Sequence, residues 1–222
     1  MTEFKNLIVL GPLIYAIHHF EEHIIFNFRD WRLTYFADNN AIATEEVLIR
    51  LISLLLIMVF IHLLKNNRGS AHIVLFFLVT TQVVNALFHL FFSFYFADFS
   101  PGAITGVLLY LPINFLIFKA AFQEGFIKSY LELFFIFIAG MSCFALFEII
   151  GPQVIAYTVL MTPIYYIIMN RIENKLNEIR DRVSWVWLSN KKRNKELSKI
   201  SDLENWKDEY RIELRNKYEL VI

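Results

Sequence analysis

The side chains best equipped for chemistry crowd together near the start of the chain. His18, His19, Glu21, Glu22 and His23 place five ionisable groups within six residues. On a helix His18, Glu21 and Glu22 fall at i, i+3 and i+4, and so do His19, Glu22 and His23. Each set can therefore aim two or three groups in one direction. Two carboxylates with two or more imidazoles form the ligand set of an iron, manganese or zinc site. The same residues also work without a metal. Adjacent carboxylates in a low dielectric repel, so one holds a proton while the other stays charged, and imidazoles beside them complete an acid–base pair. The spacing leaves both chemistries open.

Later residues extend the constellation. Asn85 and His89 stand at i, i+4, with Gln82 one turn earlier, and Thr105 and Glu148 are further polar groups in apolar surroundings. Arg50 is the expected counter-ion for one of the two carboxylates. His19 and His23 are read as satisfied by neighbouring groups, and His62 and His72 as remote. Familiar metal motifs are missing: there is no HExxH, and no Glu-x-x-His of the helical di-iron bundles. Six histidines are too few for a histidine-rich desaturase or hydroxylase pattern.

The elements that must position these residues are unusually apolar. The chain has 222 residues, 57% hydrophobic and 17% aromatic, with only 19% charged. A soluble domain is closer to one-quarter charged. Six runs are long enough to span a bilayer: about 7–28, 46–64, 71–97, 101–123, 127–150 and 152–170. The expected fold is thus all-α, a polytopic helical membrane bundle of about six transmembrane helices over 1–170. A charged cytoplasmic helical tail follows over 171–222. Gly11-Pro12, Pro112 and Pro163 predict kinks within spans. Lys5 before the first run is not followed by a small-residue cleavage site, so the run is read as retained. Zero net charge gives no electrostatic support for binding nucleic acid. Cys143 is the single cysteine, which excludes an internal disulfide and a cysteine-based zinc cluster.

Basic residues near the helix ends give an orientation. Lys65, Arg68, Lys119, Lys128 and the tail lie on one side, which puts both termini in the cytoplasm of a multi-pass cell-membrane protein. The first outer loop departs from this pattern with Arg29 and Arg32, accompanied by Asp30 and Asp38. Its Trp31, Tyr35 and Phe36 suit an interfacial belt or a lid. With a rise of 1.5 Å per residue, Glu22, Asn85 and His89 lie roughly 22, 21 and 27 Å from the inner surface, and Arg50 about 6 Å below the outer one. They converge on the outer half of a core about 30 Å thick. A charged residue at mid-membrane costs roughly 2.5–3.5 kcal/mol, so such a concentration calls for a function. The tail carries Ile172, Leu176, Ile179 and Val183 at helical spacing, then Trp185 and Trp187 before Lys191-Lys192-Arg193. That pattern reads as a solvated helix continuing the last span, or a segment on an anionic inner leaflet or a protein partner.

His18-x-x-Glu21-Glu22, then Asn85-x-x-x-His89, then Pro101-Gly102 with Thr105 resemble the HXXEE-motif family of bacterial integral membrane proteins. The resemblance covers roughly Leu7 to Asn114. It implies His18 rather than His19 as the motif histidine, and Glu21, Glu22, Asn85 and His89 as the other motif positions. The family has no established activity, so it implies a site and not a reaction. The expectation from residues and resemblance together is a membrane enzyme acting on a lipophilic substrate. His18, Glu21, Glu22, Asn85 and His89 would be its catalytic or metal-binding groups, supported by Arg50, Thr105 and Gln82. A proton-coupled carrier and a non-catalytic membrane interaction protein are the alternatives.

Overall fold

A computed structural model of the chain describes residues 3–37 and 44–201, and these are helical with no strands. Asp38 and the tail after Ser201 lie outside the described residues. Two units are distinguished, Met1–Asn170 and Arg171–Ile222. In order, the helices are α1 (Phe4–Ile8), α2 (Leu10–Phe20), α3 (Phe28–Tyr35), α4 (Thr44–Lys65), α5 (Arg68–Leu78), α6 (Val84–Tyr95), α7 (Ala103–Thr105), α8 (Leu111–Gln123), α9 (Tyr130–Ile150) and α10 (Gln153–Ser201). Three π-helical turns interrupt this series: π1 (Glu21–Ile25), π2 (Val79–Val83) and π3 (Gly106–Tyr110).

Five helices among the described residues are long and apolar enough to cross a membrane: Glu45–Lys65, Arg68–Tyr95, Ala103–Gln123, Tyr130–Ile150 and Gln153–Lys195. The run at 7–28, expected as a sixth single span, is instead helical from Phe4 to Ile25 in three pieces. The break at Val9 has a simple cause. Pro12 has no N–H for the carbonyl of Ile8, so the α-helical ladder is interrupted there. Pro112 acts in the same way on Leu108, and π3 lies across that carbonyl. No proline accompanies π1 or π2, yet each holds polar residues of the constellation.

The central helix is the continuous stretch Arg68–Tyr95, more than half of which is buried. Asn67 caps its start by accepting from the Ser70 N–H, and the Ser70 hydroxyl reciprocates. Around it α4 packs on α5, α9 on π2, and π3 on α6. Gly140 of α9 permits the closest of these approaches, because a Cβ there would stand 2.7 Å from Val79 Cγ1. Phe4, Ile8, Leu55, Leu75, Leu78 and Ile117 fill the core. The end of the first helical run and α7–π3 come together with α6 at one end of the central helix. That end receives the polar residues.

Candidate metal centre

The site is assembled from three interrupted helices. His18 lies in the last turn of α2, Glu22 lies in π1, and His89 stands on α6 one helical turn beyond Asn85. The Nε2 atoms of His18 and His89 converge on one oxygen, Glu22 Oε1, at 3.3 and 2.9 Å. Neither nitrogen has a hydrogen bond of acceptable geometry, although both are fully enclosed. The opposite ring nitrogens are anchored: His18 Nδ1 meets the Thr105 hydroxyl at 2.7 Å, and His89 Nδ1 the Ser100 hydroxyl at 2.9 Å. Fixing the outer nitrogen is how proteins orient imidazoles whose inner nitrogen binds a metal. Tyr110 packs on His18 with ring centroids 4.3 Å apart, so the ring has little freedom to turn.

The two adjacent glutamates do different work. Glu21 accepts backbone N–H bonds from Gly102, Ile104 and Thr105 at 3.1, 3.2 and 2.7 Å. It thereby caps the continuous helix Ala103–Gln123, where the helix dipole favours a negative charge. The pairing of Glu21 with Glu22 as one acid–base couple is therefore corrected: Glu21 is committed to the helix end, and Glu22 alone meets the imidazoles. Gly102 explains the Pro101-Gly102 motif. Its φ of +98° is a left-handed conformation, and a Cβ there would stand 2.9 Å from both His18 Cε1 and His89 Nε2. Backbone at 102 closes one side of the cluster, and only glycine fits.

On its other side the cluster meets a cavity of about 160 Å³. Tyr15, Leu51, Phe76, Phe77, Phe88, Phe144 and Phe147 give it apolar walls. Glu22, His89 and Asn85 reach its surface, whereas His18 and Glu21 stand behind them. Asn85 Oδ1 is enclosed without a partner. One end of the cavity is lined by an ion pair between Arg32 of α3 and Glu148 of α9, 2.9 Å apart. Phe28 at the start of α3 packs against both His89 and His23. The short helix α3 thus covers the cavity, held by buried Trp31 and by Tyr35, which donates to Asp98.

Other expected residues sit elsewhere. Arg50 is not the counter-ion of Glu21 or Glu22; it pairs with Glu46 one turn away on a half-exposed face of α4. One turn is a shorter reach for a long side chain than another helix, and water at that face lowers the cost of both charges. Gln82 donates to the Gly11 carbonyl and accepts from Asn114, both at 2.8 Å, so it ties three helices together below the site. Thr105 serves through His18. His62 and His72 lie towards the other end of the bundle, as expected. His19 and His23 do not. Their rings meet with centroids 4.3 Å apart at a tilt of 48° and line the same cavity, with His23 Nε2 3.7 Å from Glu22 Oε2. Their own spacing around Glu22 was the available signal. Among the described residues two sets of three side chains could hold a metal ion: His18, Glu22 and His89, and His19, Glu22 and His23.

Comparison with known proteins adds a family and no activity. Residues 9–117 match a family described as protein of unknown function with HXXEE motif. No curated protein and no solved structure matches the chain. The matched stretch holds His18, Glu22, Asn85, His89, Gly102 and Thr105, and stops before α9 and α10.

Proposed function

We propose that the protein is a multi-pass membrane enzyme acting on a lipophilic substrate, with a divalent cation held by His18, Glu22 and His89. One observation carries this reading. Two enclosed imidazole nitrogens lie 3.3 and 2.9 Å from one carboxylate oxygen, neither in hydrogen-bonding geometry with it, at the wall of an apolar cavity. Two donors each 2.0–2.1 Å from a tetrahedral zinc lie about 3.4 Å apart, close to the spacings seen. His₂Glu is also a ligand set of catalytic zinc, and two histidines with one carboxylate suit iron as well. Such a set leaves coordination positions for water or a substrate oxygen. The cation would supply Lewis acidity there. Glu22 and the imidazoles would hold it, Asn85 Oδ1 would accept a hydrogen bond from the substrate, and the phenylalanines would seat its apolar body. Hydrolysis, isomerisation and group transfer are the reactions this chemistry serves.

Membrane placement is supported by the surface. Phe134, Phe135, Leu146 and Ile149 are exposed on α9, which is apolar all round, and Leu56, Phe60 and Leu64 are exposed on α4. A helix of that kind belongs in lipid or in a core, and these faces are in no core. Alternate basic loops would put both termini in the cytoplasm.

The test is chemical. Detergent-purified protein should carry a stoichiometric transition metal, and incubation with a total lipid extract should yield products seen by mass spectrometry. Glu22→Gln should remove both the metal and the products. Metal-free wild-type protein that cannot be loaded, with lipid extracts left unchanged, would sink this reading.

A further inference from the structure

Glu22 has a second carboxylate oxygen, and it faces a second pair of histidines. Oε1 is directed to His18 and His89, while Oε2 is the oxygen nearest His23 Nε2. That 3.7 Å separation is too long for a hydrogen bond. It is close to the roughly 3.4 Å between two ligands of one tetrahedral ion. The His19 ring meets that of His23 at a tilt, and donor atoms from His19, Glu22 and His23 lie within 4.8 Å of one another. All three residues line the cavity.

We infer that Glu22 bridges two divalent cations, an inner one on His18 and His89 and an outer one on His19 and His23. This rests on the proposed function and deepens it. Neutral imidazoles explain why two histidines in ring contact tolerate each other beside the cavity: as metal ligands they offer lone pairs rather than like charges. The sharing also explains why π1 begins where it does. Three of the four imidazoles and the bridging carboxylate leave one helical segment, His18 and His19 from the last turn of α2 and Glu22 and His23 from π1, so the segment that widens at Glu21 is the one that faces both ions. Glu45 of α4 lies within electrostatic range of both His19 and His23 and adds negative charge on the outer side. The two ions differ in access. Gly102 and Tyr110 enclose the inner ion, while the outer one faces the cavity. Paired sites with ions about 3.5–4 Å apart clamp both the attacking and the leaving oxygen of a displacement. The outer ion is then the one that meets substrate.

Full-length protein in detergent, stripped with a chelator and reloaded with Zn²⁺, should bind two zinc ions per chain. His19→Ala with His23→Ala should bind one. His23→Asn, closer in size, should weaken the second zinc at least about 10-fold and leave the first unchanged. Loaded with Mn²⁺, wild type should give the paramagnetic resonance spectrum of a coupled pair, and the double variant that of an isolated ion. One zinc per chain in wild type, or two that survive loss of His19 and His23, overturns the bridge while the inner cation of the proposed function stands. No zinc in wild type overturns both.

Discussion

His72 and His89 stand on the same central helix, about 25 Å apart along it, and each faces a glutamate from another element. Around His72 every partner is filled. Its Nδ1 meets the Tyr165 hydroxyl at 2.8 Å, and its Nε2 meets the Phe126 carbonyl at 3.0 Å and Glu132 at 3.2 Å. Glu132 also pairs with Arg68 and accepts from the Lys128 N–H. Nearby His62 is anchored to Ser70 through Nδ1 and wedged between Phe4 and Phe126, and its enclosed Nε2 makes no hydrogen bond. Around His89 the same residue types leave two enclosed nitrogens without hydrogen bonds. Histidine and glutamate in a buried place do not by themselves mark a site. What separates the clusters is whether enclosed nitrogens gather on one carboxylate: His62 belongs to neither set of possible metal ligands among the described residues, whereas the Nε2 atoms of His18 and His89 meet at Glu22. The first is a fastening between α5, the 126–132 segment and α10; the second has an opening for something else.

The contrast can be broken most sharply at the two glutamates. Glu22→Gln should abolish metal binding and activity, a loss of at least about 100-fold. Thermal unfolding of the metal-free protein should hardly move, because the amide keeps the shape. Glu132→Gln should do the reverse. It leaves Arg68 and His72 partly buried against a neutral group, and removing one partner of a buried pair costs about 3–5 kcal/mol. The loss should appear as a lowered unfolding midpoint, with metal stoichiometry retained after folding. If Glu132→Gln loses metal and Glu22→Gln loses stability, the two roles are reversed.

A smaller effect is expected at Gly102. Gly102→Ala adds a methyl group where both imidazoles already stand, in a conformation that costs a non-glycine residue about 1–2 kcal/mol. The imidazoles must shift, and metal affinity should fall about 10–100-fold, the range seen when orienting contacts are lost. Calorimetric Zn²⁺ titration would measure it. Unchanged affinity would mean that the backbone does not shape the cluster.

Arg50→Met should do least. An exposed i, i+4 pair contributes about 0.3–0.5 kcal/mol, so stability and metal content should both match wild type. A loss of metal would restore Arg50 to the site.

Much of this was legible from residue types. Helical spacing put His18 and Glu22 on one face, and counting residues along apolar runs brought Asn85 and His89 to the same level. Arg50 shows where such counting fails. Depth says nothing of azimuth, and the nearer Glu46 took the arginine, while Arg32 from the loop that broke the charge pattern turned inward to Glu148. Glu21 and Glu22 are indistinguishable by composition, and only the neighbouring helix end separates them. His19 and His23 are read as satisfied by neighbouring groups, although their spacing around Glu22 already puts them on its face. The π turn that follows Phe20 is the part that no residue pattern announces.

Those wide turns have a consequence for how the scaffold tolerates change. An α-helix advances 100° per residue, so each π turn acts as one surplus tick on a ruler, and everything beyond it is rotated relative to everything before it. Phase on the two sides is thereby uncoupled: α5 keeps the face that grips α4 while α6 presents Asn85 and His89. Length has become information in this protein. Point substitutions on the apolar faces have many acceptable neighbours, but deleting one residue from the regular stretches between these turns would swing everything beyond it through about 100°. The spacing between the motifs is under tighter constraint than the letters that fill it.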